Sequence, residues 1–119
     1  MEPINSSDRI VRNIHTEQFE AYDFGGFEVQ GQSVLQVDRD TALARGFFIY
    51  RMEPGAKSRA HLHASGEHFF ILEGDLQDHD GYEYVEGDLV YLKPGTIHNS
   101  KTRHGCTLVV YLSSADYVE

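Results

Sequence analysis

Short apolar runs separated by turns that contain glycine make up most of this chain. The turn signals are Pro54-Gly55, Glu73-Gly74, Asp80-Gly81, Pro94-Gly95 and Gly105. The clearest runs between them are Phe47 to Met52, Glu67 to Leu72, Leu89 to Leu92 and Thr107 to Leu112. Runs this short, at such even spacing, leave little room for helices and predict an all-β sandwich or barrel.

Three other stretches carry weaker structural signals. Residues 15–22, HTEQFEAY, are the best helix candidate, although the segment is short. Positions 27–37 alternate with a period of two, which predicts a strand with one buried face, and Gly31 is a candidate break into a hairpin. Residues 1–15 are polar and predict a loosely held N-terminal arm.

Length and charge limit the classes of function. The 119 residues predict one domain, residues 1–119. The net charge of -9 would repel a phosphate backbone or an anionic membrane surface, so we expect neither nucleic acid nor membrane as a partner. A single cysteine, Cys106, and an N-terminus unlike a signal peptide predict a cytoplasmic location.

The most informative polar residues are His61, His63 and Glu67. In an extended chain His61 and His63 point to the same face, and a turn at residues 64–66 can return Glu67 to that side. His98 follows a proline-glycine turn and opens a strand that could run beside the strand of Glu67. Three imidazoles and one carboxylate suit iron, manganese, nickel, copper or zinc rather than calcium or magnesium. The alternative is that these side chains are solvated loop residues.

These positions resemble the two motifs of the cupin superfamily. The first motif matches at every fixed position, namely Gly55, His61, His63, Glu67 and Gly74. The second motif is similar to Gly87 through His98. Its proline comes one place late, at Pro94, and Thr102 stands where many cupins have asparagine. Neither departure removes a candidate ligand.

The resemblance covers roughly residues 45–112 and implies a small jelly-roll barrel with a short polar N-terminal arm. It implies one divalent transition-metal ion inside the barrel, bound by His61, His63, Glu67 and His98. The chain looks most like the single-domain ChrR-type cupins. That group includes zinc-binding domains of anti-sigma factors and resembles small dioxygenases that cleave diketones and aromatic ketones. Small cupins also pair as homodimers, which makes residues 27–37 a candidate interface or exchanged edge strand.

The resemblance favours an enzyme over a non-catalytic protein, and a non-haem metal-dependent oxygenase is the first hypothesis. Its substrate would be a small oxygen-bearing organic compound of the diketone or aromatic ketone type, and iron is the metal we favour for catalysis. One alternative is a metal-dependent isomerase, lyase or decarboxylase. The other is a non-catalytic sensor or regulatory cupin, in which tetrahedral zinc would have no open position. The fold alone does not decide among them.

Beyond the candidate ligands, the sequence predicts which other residues lie near the site and which histidines lie away from it. Tyr50 and Tyr91 are candidate catalytic residues that could offer a hydroxyl near the metal. Phe69 and Ile71 share the face of Glu67 and should form an apolar wall around the site. His68 should point out of the barrel. The remaining histidines are expected to be exposed, and they are His15, His79 and His104.

Overall fold

A computed structural model of the protein describes residues 1–24, 27–38, 41–113 and 117–118, with the side chains of residues 23–29 and 114–119 outside the described part. Twelve strands and one short 3₁₀ helix, Ser6–Asp8, run through the described residues. The strands are β1 Glu20–Phe24, β2 Phe27–Gln36, β3 Gly46–Met52, β4 His61–His63, β5 Glu67–Gly74, β6 Leu76–Asp78, β7 Glu83–Tyr84, β8 Leu89–Leu92, β9 Thr96–His98, β10 Ser100–Lys101, β11 Cys106–Leu112 and β12 Tyr117–Val118. The all-β prediction is confirmed.

The strands form three antiparallel sheets around a common interior. The large sheet has the order β1-β2-β3-β11-β5-β8, and the two small sheets have the orders β10-β6-β7 and β12-β4-β9. One cavity is lined by residues from all three sheets, so it lies between the large sheet and the two small ones. The sheets therefore enclose the interior as a barrel.

Strand β5 shows how side-chain alternation builds the core. Phe69 and Ile71 are buried, whereas His68 and Leu72, which alternate with them, are exposed. The neighbouring strand β11 adds buried Leu108 and Val110 to the same core. Successive side chains of a strand point to opposite faces, which is why this assignment of faces could be made from the sequence.

The predicted helix at residues 15–22 is wrong. The chain makes a single turn in which the carbonyl of Asn13 accepts from the amides of Thr16 and Glu17. It then enters β1, where Glu20 is the partner of Val34. The segment is too short to sustain a helix without a packed face, since the first helical turn is costly to form. The end of the segment instead forms part of β1, which pairs with β2.

The predicted hairpin at Gly31 is also wrong, because β2 continues through it. Gly31 has φ of 75°, and its carbonyl accepts from the amide of Glu53 at 2.7 Å. Glycine adopts this backbone without strain, so the strand bends here rather than ending. Strand β2 pairs with β1 on one side and β3 on the other, so it is not an edge strand of this sheet.

The arm is largely exposed, and Arg12 joins it to the rest of the chain. Arg12 donates to the carbonyl of Gln36 at 2.8 Å and to Glu17 at 3.0 Å. None of the helices that the structure describes has the length and apolar character needed to cross a membrane.

Candidate metal centre

Two neighbouring strands bring the three predicted histidines together. His61 and His63 lie on β4, and His98 ends β9, where it is the direct cross-strand partner of His61. We expected the strand of His98 to run beside that of Glu67, and this expectation is wrong, because β9 pairs with β4. The amide of Gly95 donates to the carbonyl of His63 at 2.9 Å, which folds β9 back onto β4.

The histidine nitrogens converge on one point in the interior. Nε2 of His63 lies 3.1 Å from Nε2 of His61 and 2.6 Å from Nε2 of His98. Glu67 begins β5, and its Oε1 lies 3.2 Å from Nε2 of His63 and 3.8 Å from Nε2 of His98. In the described part of the chain, the three histidines form a group that could hold a metal ion. The structure thus brings together the three predicted histidine ligands and places the Glu67 carboxylate beside two of them.

Hydrogen bonds on the far side of two rings fix which nitrogen carries the proton. Nδ1 of His61 is 2.6 Å from the carbonyl oxygen of Arg59, and a carbonyl can only accept, so this nitrogen donates. Nδ1 of His98 is 3.1 Å from Oδ1 of Asp78, which is likewise an acceptor. Burial lowers the pKa of His61, although the Arg59 carbonyl opposes this, so its ring is neutral near pH 7. Nε2 of His61 therefore presents a lone pair.

Asp78 holds His98 as part of a buried network. Its Oδ1 also accepts from the hydroxyl of Ser100 at 2.5 Å, and its Oδ2 accepts from the hydroxyl of Tyr84 at 2.6 Å. Burial alone would raise the pKa of Asp78, but the hydrogen bonds from His98, Ser100 and Tyr84 together lower it. The carboxylate thus stays ionised and keeps Nδ1 of His98 as the donor.

The donors at the centre fit a divalent transition metal. Neutral His61 directs an unprotonated Nε2 at Nε2 of His63, and Nε2 of His98 and the Glu67 carboxylate lie beside the same His63 nitrogen. His63 can share only one proton among these neighbours. Acceptors that crowd together without hydrogen atoms between them repel one another, and a cation removes that repulsion. Three imidazoles with one carboxylate are borderline donors that suit such ions.

An apolar cavity adjoins the centre. His61, Glu67 and His98 line one part of it, together with Ser100, Ser58, Arg59 and Gln32. The rest is lined mainly by apolar side chains, namely Ala44, Phe48, Met52, Phe69, Leu76, Leu108, Val110 and Leu112. The space open to the centres of water-sized molecules is about 70 Å³. One water needs about 10–15 Å³ by that measure, so roughly five waters or one small organic molecule would fit.

The two candidate tyrosines lie in different places. Tyr50 lines the cavity with His61 and Glu67, and its ring meets Tyr22 edge to face at 5.8 Å. Burial, followed by the charge of neighbours including Glu67, raises the pKa of Tyr50 well above its ordinary value, so its hydroxyl stays protonated. Tyr91 is 49% exposed and stacks on His68 at 4.4 Å, on the outer face. Tyr91 is therefore not among the residues that line this cavity.

The remaining histidines lie away from the centre, as expected. His68 is exposed on the outer face of β5, and the other three are exposed as well, namely His15, His79 and His104. Asp78 and Gln32 were not predicted as site residues. Asp78 precedes the Asp80-Gly81 turn and resembles an ordinary turn acid, and its role follows only from the pairing of β6 with β10.

A family model described as "ChrR Cupin-like domain" matches residues 10–116. This match confirms the cupin resemblance over nearly the whole chain and, with it, the jelly-roll barrel. Among curated proteins, none matches this chain.

Solved structures show the same fold. The polyketide cyclase RemF from Streptomyces resistomycificus aligns with 99% of this chain and 84% of its own, at a TM-score of 0.68 and 17% identity. A sugar phosphate isomerase of the cupin superfamily from Silicibacter pomeroyi is 28% identical over 91% of this chain and 73% of its own, at a TM-score of 0.56. A third structure is the Rhodobacter sphaeroides complex of SigE with the anti-sigma ChrR. One chain of that complex aligns over 67% of this chain and 43% of its own length, at a TM-score of 0.57 and 16% identity.

Proposed function

Since the chain belongs to the ChrR cupin-like domain family, we propose that it is a metal-dependent oxygenase for small oxygen-bearing organic compounds, with diketones and aromatic ketones as the substrate class. The proposed ligands are His61, His63, Glu67 and His98, and the proposed metal is iron. The observation that carries the proposal is the convergence of these four donors at the wall of a cavity with an apolar lining.

The chemistry divides between the ion and the chain. A bound ferrous ion would polarise a substrate carbonyl and activate dioxygen. The three histidines act as neutral ligands, and Glu67 reduces the net charge of the centre. Asp78 and the Arg59 carbonyl hold the rings of His98 and His61 in the binding tautomer. Tyr50 stays protonated and supplies a hydrogen-bond donor in the cavity, within the same lining as Glu67.

The cavity supports a substrate with an apolar body. Eight apolar side chains, among them Phe48, Met52 and Phe69, line the cavity beside the polar residues of the centre, and an apolar body can pack against them. The small space also excludes large substrates. A cavity beside the donors further supports catalysis over a structural zinc site, because a closed structural site needs no such space.

An isomerase is the second candidate, and one observation favours it. The chain is 28% identical to the Silicibacter pomeroyi sugar phosphate isomerase over 91% of its length. An isomerase on this scaffold would use the ion to polarise a carbonyl while a protein group moves a proton. It would consume no dioxygen, so oxygen uptake separates the two candidates.

The test joins metal loading to oxygen uptake. Anaerobic metal-free protein is loaded with ferrous iron and offered acetylacetone or acetophenone in buffer containing oxygen. We expect uptake that depends on the ketone, is lost in His63→Ala and is retained in His68→Ala, the matched control on the outer face. Product formation without oxygen uptake would favour the isomerase. Tight zinc binding with no turnover of any ketone would favour the sensor.

A further inference from the structure

Two buried glutamines lie on the same face of β2, and only one of them is fully hydrogen-bonded. Gln32 and Gln36 are each 5% exposed, with buried Val34 between them on that face. Glutamine is seldom fully buried, and a buried amide normally finds partners for both its nitrogen and its oxygen. The partners of these two amides therefore show what each side chain does.

Gln36 has a structural role. Its amide nitrogen donates to three carbonyl oxygens of the following loop, at 3.0 to 3.1 Å, namely those of Asp38, Thr41 and Ala42. Its oxygen accepts from the amide of Ala44 at 2.8 Å. Both ends of the Gln36 amide are thus used to hold the chain between β2 and β3.

Gln32 is different because only its nitrogen is used. Nε2 donates to the carbonyl of Lys57 at 2.7 Å, which fixes the orientation of the amide, because a carbonyl needs a donor. Oε1 is buried and has no hydrogen-bond partner among the described residues. Gln32 also lines the cavity that adjoins the metal centre. An acceptor left unpaired in the interior destabilises the fold unless a bound molecule donates a hydrogen bond to it.

We propose that Gln32 is a specificity residue whose Oε1 accepts a hydrogen bond from a hydroxyl or N–H group of the molecule bound in the cavity. This rests on the proposed function only in taking the cavity as the substrate site. It narrows the substrate class to carbonyl compounds that carry a hydrogen-bond donor away from the carbonyl. A site with a waiting acceptor discriminates strongly against an analogue that lacks the donor, since binding that analogue leaves the acceptor unpaired.

The test uses two aromatic ketones of nearly the same shape, meta-hydroxyacetophenone and meta-methylacetophenone. The meta hydroxyl lies too far from the carbonyl for both to bind one ion. Dissociation constants are measured by NMR titration on zinc-loaded protein, so no turnover is needed. We expect wild-type protein to bind the hydroxyl compound roughly ten- to a hundredfold more tightly. Gln32→Met keeps the side-chain length without an acceptor and should abolish the preference. Gln30→Met, at an exposed position of the same strand, should retain it.

The wild-type comparison alone keeps the inference falsifiable if Gln32→Met does not fold. Equal affinities, tighter binding of the methyl compound, or no binding of either ketone would overturn it. So would a preference that survives in folded Gln32→Met. If the hydroxyl preference holds while oxygen uptake is absent, the recognition role of Gln32 stands and the oxygenase proposal fails. Oxygen uptake without the hydroxyl preference would support the oxygenase proposal and rule out the recognition role of Gln32.

Discussion

Asp78 shows how a residue distant from the ligands in sequence becomes part of their geometry. Its carboxylate links His98 on β9 to Ser100 on β10 and Tyr84 on β7. The four candidate ligands could be identified from the sequence because local spacing places them, two on one strand and one after each of two turns. Asp78 could not, because its role depends on pairing between segments about twenty positions apart, and no local pattern encodes that pairing.

Replacing Asp78 should weaken metal binding without removing a ligand. In Asp78→Asn the amide can present its nitrogen to Nδ1 of His98, which no longer fixes the binding tautomer. We expect metal affinity to fall roughly ten- to a hundredfold. The measurement is titration of zinc against a competing chelator, with Glu83→Gln on the exposed face of neighbouring β7 as the control. Unchanged affinity in folded Asp78→Asn would refute the positioning role.

Tyr50 and Tyr91 provide a matched pair for the role of the cavity hydroxyl. Tyr50→Phe should lower kcat for the ketone by about a hundredfold, the lower end of the range for a positioned proton donor, and leave metal content unchanged. Tyr91→Phe alters a side chain that stacks on His68 outside the barrel, so its kcat should match that of wild type. Steady-state oxygen uptake on iron-loaded proteins checks both. Equal kcat in the two variants would remove Tyr50 from the chemistry.

At the scale of elements, glycine turns account for most of what the sequence predicted. The Asp80-Gly81 turn joins β6 to β7 as expected, with Gly81 at φ of 90°. The runs predicted from Phe47, Glu67, Leu89 and Thr107 all became strands within one or two residues of their expected bounds. The helix at residues 15–22 failed because pairing with a distant strand overrode a weak local preference.

Gly74 and Gly81 show two different physical reasons why a position requires glycine. Both have φ of 90°, but a Cβ at Gly74 would overlap the carbonyl of Gly105 and crowd Cys106, whereas a Cβ at Gly81 meets nothing within 4 Å. Gly81→Ala should cost about 1–2 kcal/mol from backbone strain alone. Gly74→Ala should cost about 3 kcal/mol or more, because the β5–β11 pairing must also shift. Urea denaturation measures both, and equal losses would contradict this account.

Asp75 should make the loop before β11 sensitive to acid. Although slight burial opposes it, hydrogen bonds from the amides of Arg103 and His104 lower the pKa of Asp75. A lowered folded-state pKa adds stability that is present above the unfolded value of about 3.9 and is lost as pH falls through the folded value. Wild type should therefore be more stable than Asp75→Asn near pH 7, and the two should converge in acid. Denaturant midpoints against pH check this, and a difference that does not change with pH would contradict it.

At the scale of the whole molecule, the sequence predicted the class of fold but not the order of its strands. The closed β-structure followed from turn spacing, and the cupin family match confirms it. The pairing of β9 with β4 did not follow, because antiparallel strands of similar composition can be arranged in several orders. The homodimer and the cytoplasmic location stay predictions. If a dimer forms, β2 cannot serve as an exchanged edge strand without leaving both of its neighbours.

The proposed function requires one cation held by three imidazoles and one carboxylate inside the barrel. X-ray absorption on protein loaded with zinc tests it most directly, with metal content measured on the same sample. We predict one zinc per chain and a nitrogen and oxygen shell at about 2.0–2.2 Å, with the multiple-scattering pattern of three histidine rings. A shell with a sulfur ligand, a shell without imidazole scattering, or full zinc content in His63→Ala would contradict the account.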